Sequence, residues 1–432
     1  MNSANPKRLL LLTSKLGYQA RAFADAARRL GLEVVFGTDR CHQLEDPWGD
    51  AALPLHFERP EESAAAIVRG AAATPVHALL ALGDRPLAAA AHAACALGLP
   101  YNSPGSVDLA RNKLLQRQTL RAAGLPVPRF LSFALEEEPD RVLPRVPFPC
   151  VVKPLMLSMS QGVVRANNAA EFRAALARVR ALMASPEIQV TREQALDRLL
   201  VESYIPGGEV ALEGLIEGGR LRTLAIFDKP DPLEGPYFEE TIYVTPSRLP
   251  EILQRAIEEC AQRAVTVLGL ERGPLHAEFR INDQGPWVLE VQPRPIGGLC
   301  ARALRFGSQR MPLEELLLRH ALGEDVHAFA REPEASGVMM IPVPQSGVFE
   351  GVEGLQEAAR VPGIESIEIT ARLHDYVAAW PEGSSYLGFL FARAAEPAAV
   401  ESALRAAHAC LRFDLRARLP VEHPLAHHSD RG

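Results

Sequence analysis

Two stretches, Leu275-His276-Ala277-Glu278-Phe279-Arg280-Ile281 and Trp287-Val288-Leu289-Glu290-Val291-Gln292, alternate side chains with period two around the turn residues Asn282-Asp283-Gln284-Gly285-Pro286. That pattern reads as a β-hairpin. Folding it symmetrically about Gln284 sets Glu278 opposite Glu290 and His276 opposite Gln292. Two carboxylates directly opposite each other cost roughly 0.2–1 kcal/mol on an open sheet, and more if buried. A cation is therefore expected between them. Mg²⁺ suits, because it accepts one or two carboxylates and fills its octahedron with water and phosphate oxygens. The competing reading is a pair of solvated surface glutamates.

The rest of the chain narrows the class of protein. At 432 residues it is too long for one core, and about three domains are expected. Hydrophobic residues make up 47% and charged residues 23%, an ordinary globular profile. Lys7-Arg8 is followed by only four leucines, too short a run for a signal peptide or a membrane span. The six cysteines (Cys41, Cys95, Cys150, Cys260, Cys300 and Cys410) form no C-x-x-C pair, which argues for a reducing cytoplasm and against a zinc or disulfide framework. A net charge of −7 without a Lys/Arg cluster argues against nucleic acid as a partner. Small molecules are favoured. Of the 46 basic residues only five are lysines: Lys7, Lys15, Lys113, Lys153 and Lys229. Each retained lysine is a candidate point charge for phosphate.

Residues 8–100 alternate apolar strands with Ala-rich helices, the βαβ rhythm of a parallel sheet. Neither G-x-G-x-x-G nor G-x-x-x-x-G-K-[ST] occurs, so any nucleotide is held by another device. The expected divisions are 1–105, a connecting helix of about four turns and linker over 106–147, then 148–205, 206–325 and 326–432. The terminal His427, His428, Ser429 and Asp430 read as a frayed tail.

Further signals precede and follow the hairpin. Arg111-Asn112-Lys113 leads through Arg117 to Ala123-Gly124-Leu125-Pro126. Phe148-Pro149-Cys150-Val151-Val152-Lys153-Pro154 is an apolar strand that places Lys153 on the face opposite Val152, and a polar loop to Gly162 follows. Val201-Glu202-Ser203-Tyr204-Ile205 precedes Glu209, seven positions after Glu202. Phe227-Asp228-Lys229-Pro230 and Tyr237-Phe238-Glu239-Glu240 read as a substrate-facing segment. After the hairpin comes Pro293-Arg294-Pro295-Ile296-Gly297-Gly298.

In this order the signals resemble the ATP-grasp superfamily, and Pro295 to Leu299 with the terminal domain is similar to its L-amino-acid ligase branch. The resemblance implies an α/β multidomain fold: an N-terminal Rossmann-like parallel sheet, an ATP-grasp core of two α+β subdomains (a lid over 148–205 and a catalytic half over 206–325), and a small C-terminal α+β domain. It also implies that Lys113, Lys153 and Ser160 meet ATP phosphates, that Glu202 and Ile205 lie at adenine, and that Glu209 takes the ribose hydroxyls. Glu278, Glu290 and Gln292 would hold Mg²⁺, with Mn²⁺ as a substitute, and Arg294 would contact the transferred phosphoryl group. Lys153, Arg294 and His276 form the expected catalytic set; His276 and the Glu239/Glu240 loop are candidates for binding the amino acid or handling the amine proton. The family's lid is richer in glycine than Met156 to Gln161, and Gln292 stands where the family often has Asn. The implied activity is ATP-dependent joining of a carboxylic acid to an amine, with a homodimer as one assembly. The alternatives are a biotin-carboxylase-like or purine-pathway enzyme, or an ATP-binding sensor without turnover.

Overall fold

The computed structural model describes residues 6–14, 17–39, 52–193, 195–383 and 385–417. Lys15, Cys41 and the 427–430 tail lie outside the described residues. Strand β1 (Arg8–Thr13) is buried along nearly its whole length, as a parallel strand covered on both faces must be. It pairs in parallel with β2 (Glu33–Thr38), which pairs with β3 (Ala52–Pro54), and with β4 (Ala78–Leu82), giving the order β3-β2-β1-β4. Helices α1 (Tyr18–Arg29), α2 (Pro60–Ala73) and α3 (Leu87–Leu97) supply alanine-rich faces that let helices approach the sheet closely.

The single connecting helix expected after residue 101 is two helices, α4 (Pro104–Arg111) and α5 (Lys113–Ala122). Asn112 breaks them: it ends α4 with extended backbone, and its Oδ1 accepts from the Leu114 and Leu115 N–H groups at 3.0 and 3.2 Å. This Asn N-cap makes Lys113 the first residue of α5. The stretch read as linker also contains a strand, β5 (Phe130–Ala134). It joins β6 (Cys150–Pro154), β7 (Val164–Ala166) and β8 (Arg198–Ser203) in a four-stranded sheet of order β5-β8-β6-β7. Cys150 and Val152 pack with Phe172, Leu176 and Val179 of the helix Ala169–Met183. Lys153 therefore points to the opposite side.

The largest sheet is built on β9 (Gly208–Glu217), β10 (Arg220–Lys229), β11 (Ile242–Thr245), β12 (Arg272–Asn282) and β13 (Gly285–Gln292). Its order is β13-β12-β9-β10-β11, and the C-terminal strands Ala335–Ile341, Gly388–Ala394 and Ile364–Ile369 continue it. The C-terminal part is thus welded to the catalytic half through shared backbone pairing. One face of the sheet packs Val210, Leu212, Ala277, Phe279 and Val291 against Ile257, Ala261 and Ala264 of the helix Glu251–Leu268. The other face carries the polar residues. Among the described residues no helix is long and apolar enough to cross a membrane.

His320, in the last turn of the helix Leu313–Ala321, is 1% exposed, and its Nε2 finds no hydrogen-bond partner among the described residues. Burial, helped by the nearby Arg272 charge, pushes it down to about 4. The unfolded chain, with a His near 6.5, binds the proton first, so this contribution is complete above that value and is lost as pH falls toward 4. Between pH 7 and 5 the loss should be about 2 kcal/mol. Denaturant titrations at the two pH values check it. The attribution fails if His320→Gln keeps the full pH dependence.

Candidate active site

The hairpin carries the acid pair only because it is irregular. Its turn pairs Asn282 with Gly285, a register that continues to Phe279 opposite Val288 and would set Glu278 opposite Leu289. Leu289 is instead an extra residue, a β-bulge, and beyond it Glu278 pairs with Glu290 and His276 with Gln292. Without the bulge Glu290 would lie on the helix-covered face, since one residue of slip exchanges the faces. Helix α5 stabilises this edge strand. Gln116 donates to the Val291 carbonyl at 2.7 Å and accepts from its N–H at 3.1 Å, and Arg117 donates to the Leu289 carbonyl.

On the same face, β9 contributes Glu209 and Glu213, β12 contributes His276, Glu278 and Arg280, and β10 contributes Lys229, all in register. Opposite this face lie β6 and β8, and between them runs a cleft lined by Lys113, Lys153, Ser160, Glu202, Ile205, Glu209, Glu240, Glu278, Arg280 and Glu290. All six residues expected to bind ATP thus line one cleft. Their side-chain partners are less simple than expected.

Lys113, at the N-terminal end of α5, contacts Glu290 at 3.0 Å and donates to the Leu157 carbonyl at 2.8 Å. The ammonium and the positive end of the helix dipole coincide there. Lys153 contacts Glu202 at 2.6 Å, and the other Glu202 oxygen accepts from Arg117 at 2.5 Å. The carboxylate expected at adenine is therefore buried, 3% exposed, between two cations. Burial opposes its charge, but Arg117 and Lys153 hold it below the usual carboxylate range. The glycine-poor lid turns all the same: Met159 and Ser160 adopt left-handed φ values of 58° and 51°, which ordinary side chains take at a cost of about 1–2 kcal/mol each.

Lys229 is the centre that sequence reasoning placed only vaguely, in a loop facing substrate. Its Nζ lies 2.8 Å from Glu209 and 2.9 Å from Glu278, and it also donates to Glu240. The second Glu209 oxygen accepts from Arg280 at 3.1 Å, so the acid expected at ribose has both oxygens engaged while still lining the cleft. Burial pushes Glu240 up, and against the pull of Lys229 the Glu278 and Glu209 charges help hold it at about 7. For Glu278 burial is outweighed by Lys229 and His276, which keep it well below the usual range.

His276 is tied to two acids. It is 6% exposed, its Nδ1 is bonded to Glu213, and its Nε2 lies 3.4 Å from Glu278. Burial disfavours its charge, but Glu213 and the two hydrogen bonds raise it to about 9. Paired with Glu213 and lying beside Glu278, the imidazole is favoured in its charged form and braces Glu278.

The hairpin residues fit a hard cation. Gln292 is 1% exposed, its Nε2 donates to Glu290 at 2.9 Å, and its Oε1 is buried without a partner among the described residues. A leftover acceptor beside two same-face carboxylates is an all-oxygen donor set of the kind Mg²⁺ takes. Arg294, just past β13, is held by Asp84 from the N-terminal domain, Nε to Oδ1 at 2.6 Å. Arg117, Glu213 and Asp84 were not singled out from sequence. Alternation along β9 could have exposed Glu213, but nothing local marks Asp84.

Comparison with known proteins fits this architecture. Residues 146–303 match the ATP-grasp domain family, residues 24–101 the ATP-grasp N-terminal domain, and residues 339–416 the L-amino acid ligase C-terminal domain 2. The chain is 28% identical over 278 residues to the uncharacterized protein y4rH of Sinorhizobium fredii, covering 63% of this chain and only 55% of that relative. It is 30% identical over 244 residues to a D-alanine–D-alanine ligase of Synechococcus, covering 52% of this chain and 69% of that enzyme. The crystal structure of an L-amino acid ligase from Bacillus licheniformis superposes with a TM-score of 0.80 at 26% identity, covering 96% of this chain and all of that one. By these matches and by the cleft between its two core sheets, the chain belongs to the ATP-grasp ligase family.

Proposed function

We propose that the protein joins two amino acids, activating the carboxylate of one with ATP and passing the acyl group to the amine of the other. The γ-phosphoryl group moves to a carboxylate oxygen, the amine nitrogen attacks the acyl carbon, and phosphate leaves with the second product, ADP, already formed. The observation that carries this reading is that Lys113, Lys153, Glu278 and Glu290 line one cleft, with Arg294 near enough for the Glu290 charge to act on it. Preorganised cations aimed at developing phosphoryl charge are the main device of such transfers. When bound by Glu278, Glu290 and Gln292, Mg²⁺ supplies Lewis-acid neutralisation of phosphate charge.

The chain's own residues divide the remaining work. Ile205 and the Tyr204 segment wall the nucleotide end, and Ser160 offers a hydroxyl from the lid. Glu240 shares Lys229 with Glu209 and Glu278 and is the acid offered to an ammonium group on the substrate side. Similarity to the Bacillus licheniformis L-amino acid ligase supports amino acids as the substrates, and use of ATP is in keeping with a cytoplasmic reaction.

The test is to supply ATP, each amino acid singly and in pairs, and then hydroxylamine as the amine. ADP release should rise sharply only when acid and amine are both present, with a hydroxamate formed in equal amount to ADP. AMP and pyrophosphate as products would overturn the acyl-phosphate mechanism. Full stimulation by bicarbonate alone would move the protein to the carboxylase reading.

A further inference from the structure

Asp84 stands 210 residues before Arg294 in sequence and belongs to a domain that carries none of the nucleotide-binding signals. It follows β4 through Gly83, whose φ of +89° turns the chain at the carboxyl end of that strand. In open parallel sheets this is the end where functional groups gather. Its Oδ1 accepts from Arg294 Nε at 2.6 Å, and its Oδ2 lies 3.5 Å from Nη2. The guanidinium is further oriented by Nη1, which donates to the Pro295 carbonyl at 3.1 Å.

The loop bearing Asp84 is itself fixed. Its backbone carbonyl accepts from Arg111 Nε at 2.8 Å, and Arg111 and the adjacent Arg85 both contact Glu193, at 3.1 and 2.9 Å. Arg85 also contacts Asp39 at 2.7 Å. From the same domain, Gln19 of α1 donates to the Ile296 carbonyl at 2.9 Å, which holds the other side of the Arg294 loop.

Arg294 has other acids to choose from, because the Glu290 and Glu213 charges also act on it. A long guanidinium side chain with several acidic neighbours adopts one orientation only if one partner engages its fork. We propose that Asp84 is a positioning residue: it holds Arg294 by the Nε edge, keeps it from folding onto Glu290, and leaves the opposite edge of the guanidinium to meet the transferred phosphoryl group. The N-terminal domain would then complete the phosphoryl-transfer site. This rests on the ligase reading, since it assumes that Arg294 contacts that group.

The experiment measures binding as well as turnover, on the full chain. MgADP, alone and with aluminium fluoride as a mimic of the transferring phosphoryl group, is titrated into wild type, Asp84→Asn, Asp84→Glu, Arg294→Lys and the Asp84→Asn/Arg294→Lys double variant. Asp84→Asn should bind MgADP as wild type does, yet weaken the fluoride complex and lower kcat by about 10²-fold with KM for ATP unchanged. Asp84→Glu, which keeps the charge, should recover part of both and guards against a misfolded asparagine variant. In the Arg294→Lys background Asp84→Asn should cost little more, because two residues acting through one contact are not additive. Full additivity, or an undiminished fluoride complex in folded Asp84→Asn, would overturn the positioning role. Failure of wild type to bind MgADP at all would instead overturn the ligase reading, and this proposal with it.

Discussion

Glu290→Gln should abolish turnover, by about 10³-fold or more in kcat, while leaving the fold in place. The substitution keeps shape and removes one charge from the cross-strand acid pair. Lys113 loses its 3.0 Å partner but keeps the Leu157 carbonyl at 2.8 Å, and Glu278 keeps Lys229 and His276. Removing one of two like charges placed opposite each other also relieves a repulsion of roughly 0.2–1 kcal/mol. What goes is a ligand for the divalent cation at the point where phosphoryl charge develops. The measurement is steady-state ADP release across a Mg²⁺ titration, beside a thermal melt. Wild-type turnover at any Mg²⁺ concentration would remove Glu290 from the site.

Glu202→Ala should be the most destabilising of the site substitutions, at about 3–5 kcal/mol. From sequence alone this glutamate reads as an adenine contact, whose loss raises KM for ATP with a smaller effect on kcat. Its burial between Lys153 and Arg117 changes the expectation. Truncation strands two cations, 7% and 1% exposed, without their acid, and burial already presses on Lys153, whose value lies below that of an ordinary lysine. Arg117 would retain only the Leu289 carbonyl at the bulge, so the register of Glu290 is expected to loosen as well. Both kcat and KM should therefore suffer. Denaturant unfolding of Glu202→Ala against Glu202→Gln measures the stability part. A loss under about 1 kcal/mol, the range of solvent-exposed pairs, would show that this ion pair is not buried in solution.

Much of the molecule was legible in the residues taken in order. The run Leu9 to Leu12 announced a buried parallel strand, alternation from Val151 to Lys153 separated the lysine from the core, and the hairpin residues placed Glu278 across from Glu290. Period-two alternation works because successive side chains leave a strand on opposite faces, a property of the backbone that any local stretch displays. The break at Asn112 was legible too, and missed: an Asn two and three residues before free N–H groups is a cap signal, outweighed by a helical pattern running through it.

Other features were decided by the tertiary structure alone. The correct pairing of Glu278 with Glu290 came from a wrong premise, a symmetric hairpin. The turn is one residue off that symmetry, and the Leu289 bulge restores it because Arg117 and Gln116 of α5 bind the backbone of the edge strand. The cations that hold Glu202 and Glu209, and the Glu213 that holds His276, lie on other strands or helices, and a carboxylate's role depends on which cation the packing brings to it. Asp84 is the extreme case. An ion pair across 210 residues leaves no mark on either local sequence, because Coulomb attraction depends on distance in space, and only the docking of the parallel-sheet domain against the catalytic sheet brings the two charges within 2.6 Å.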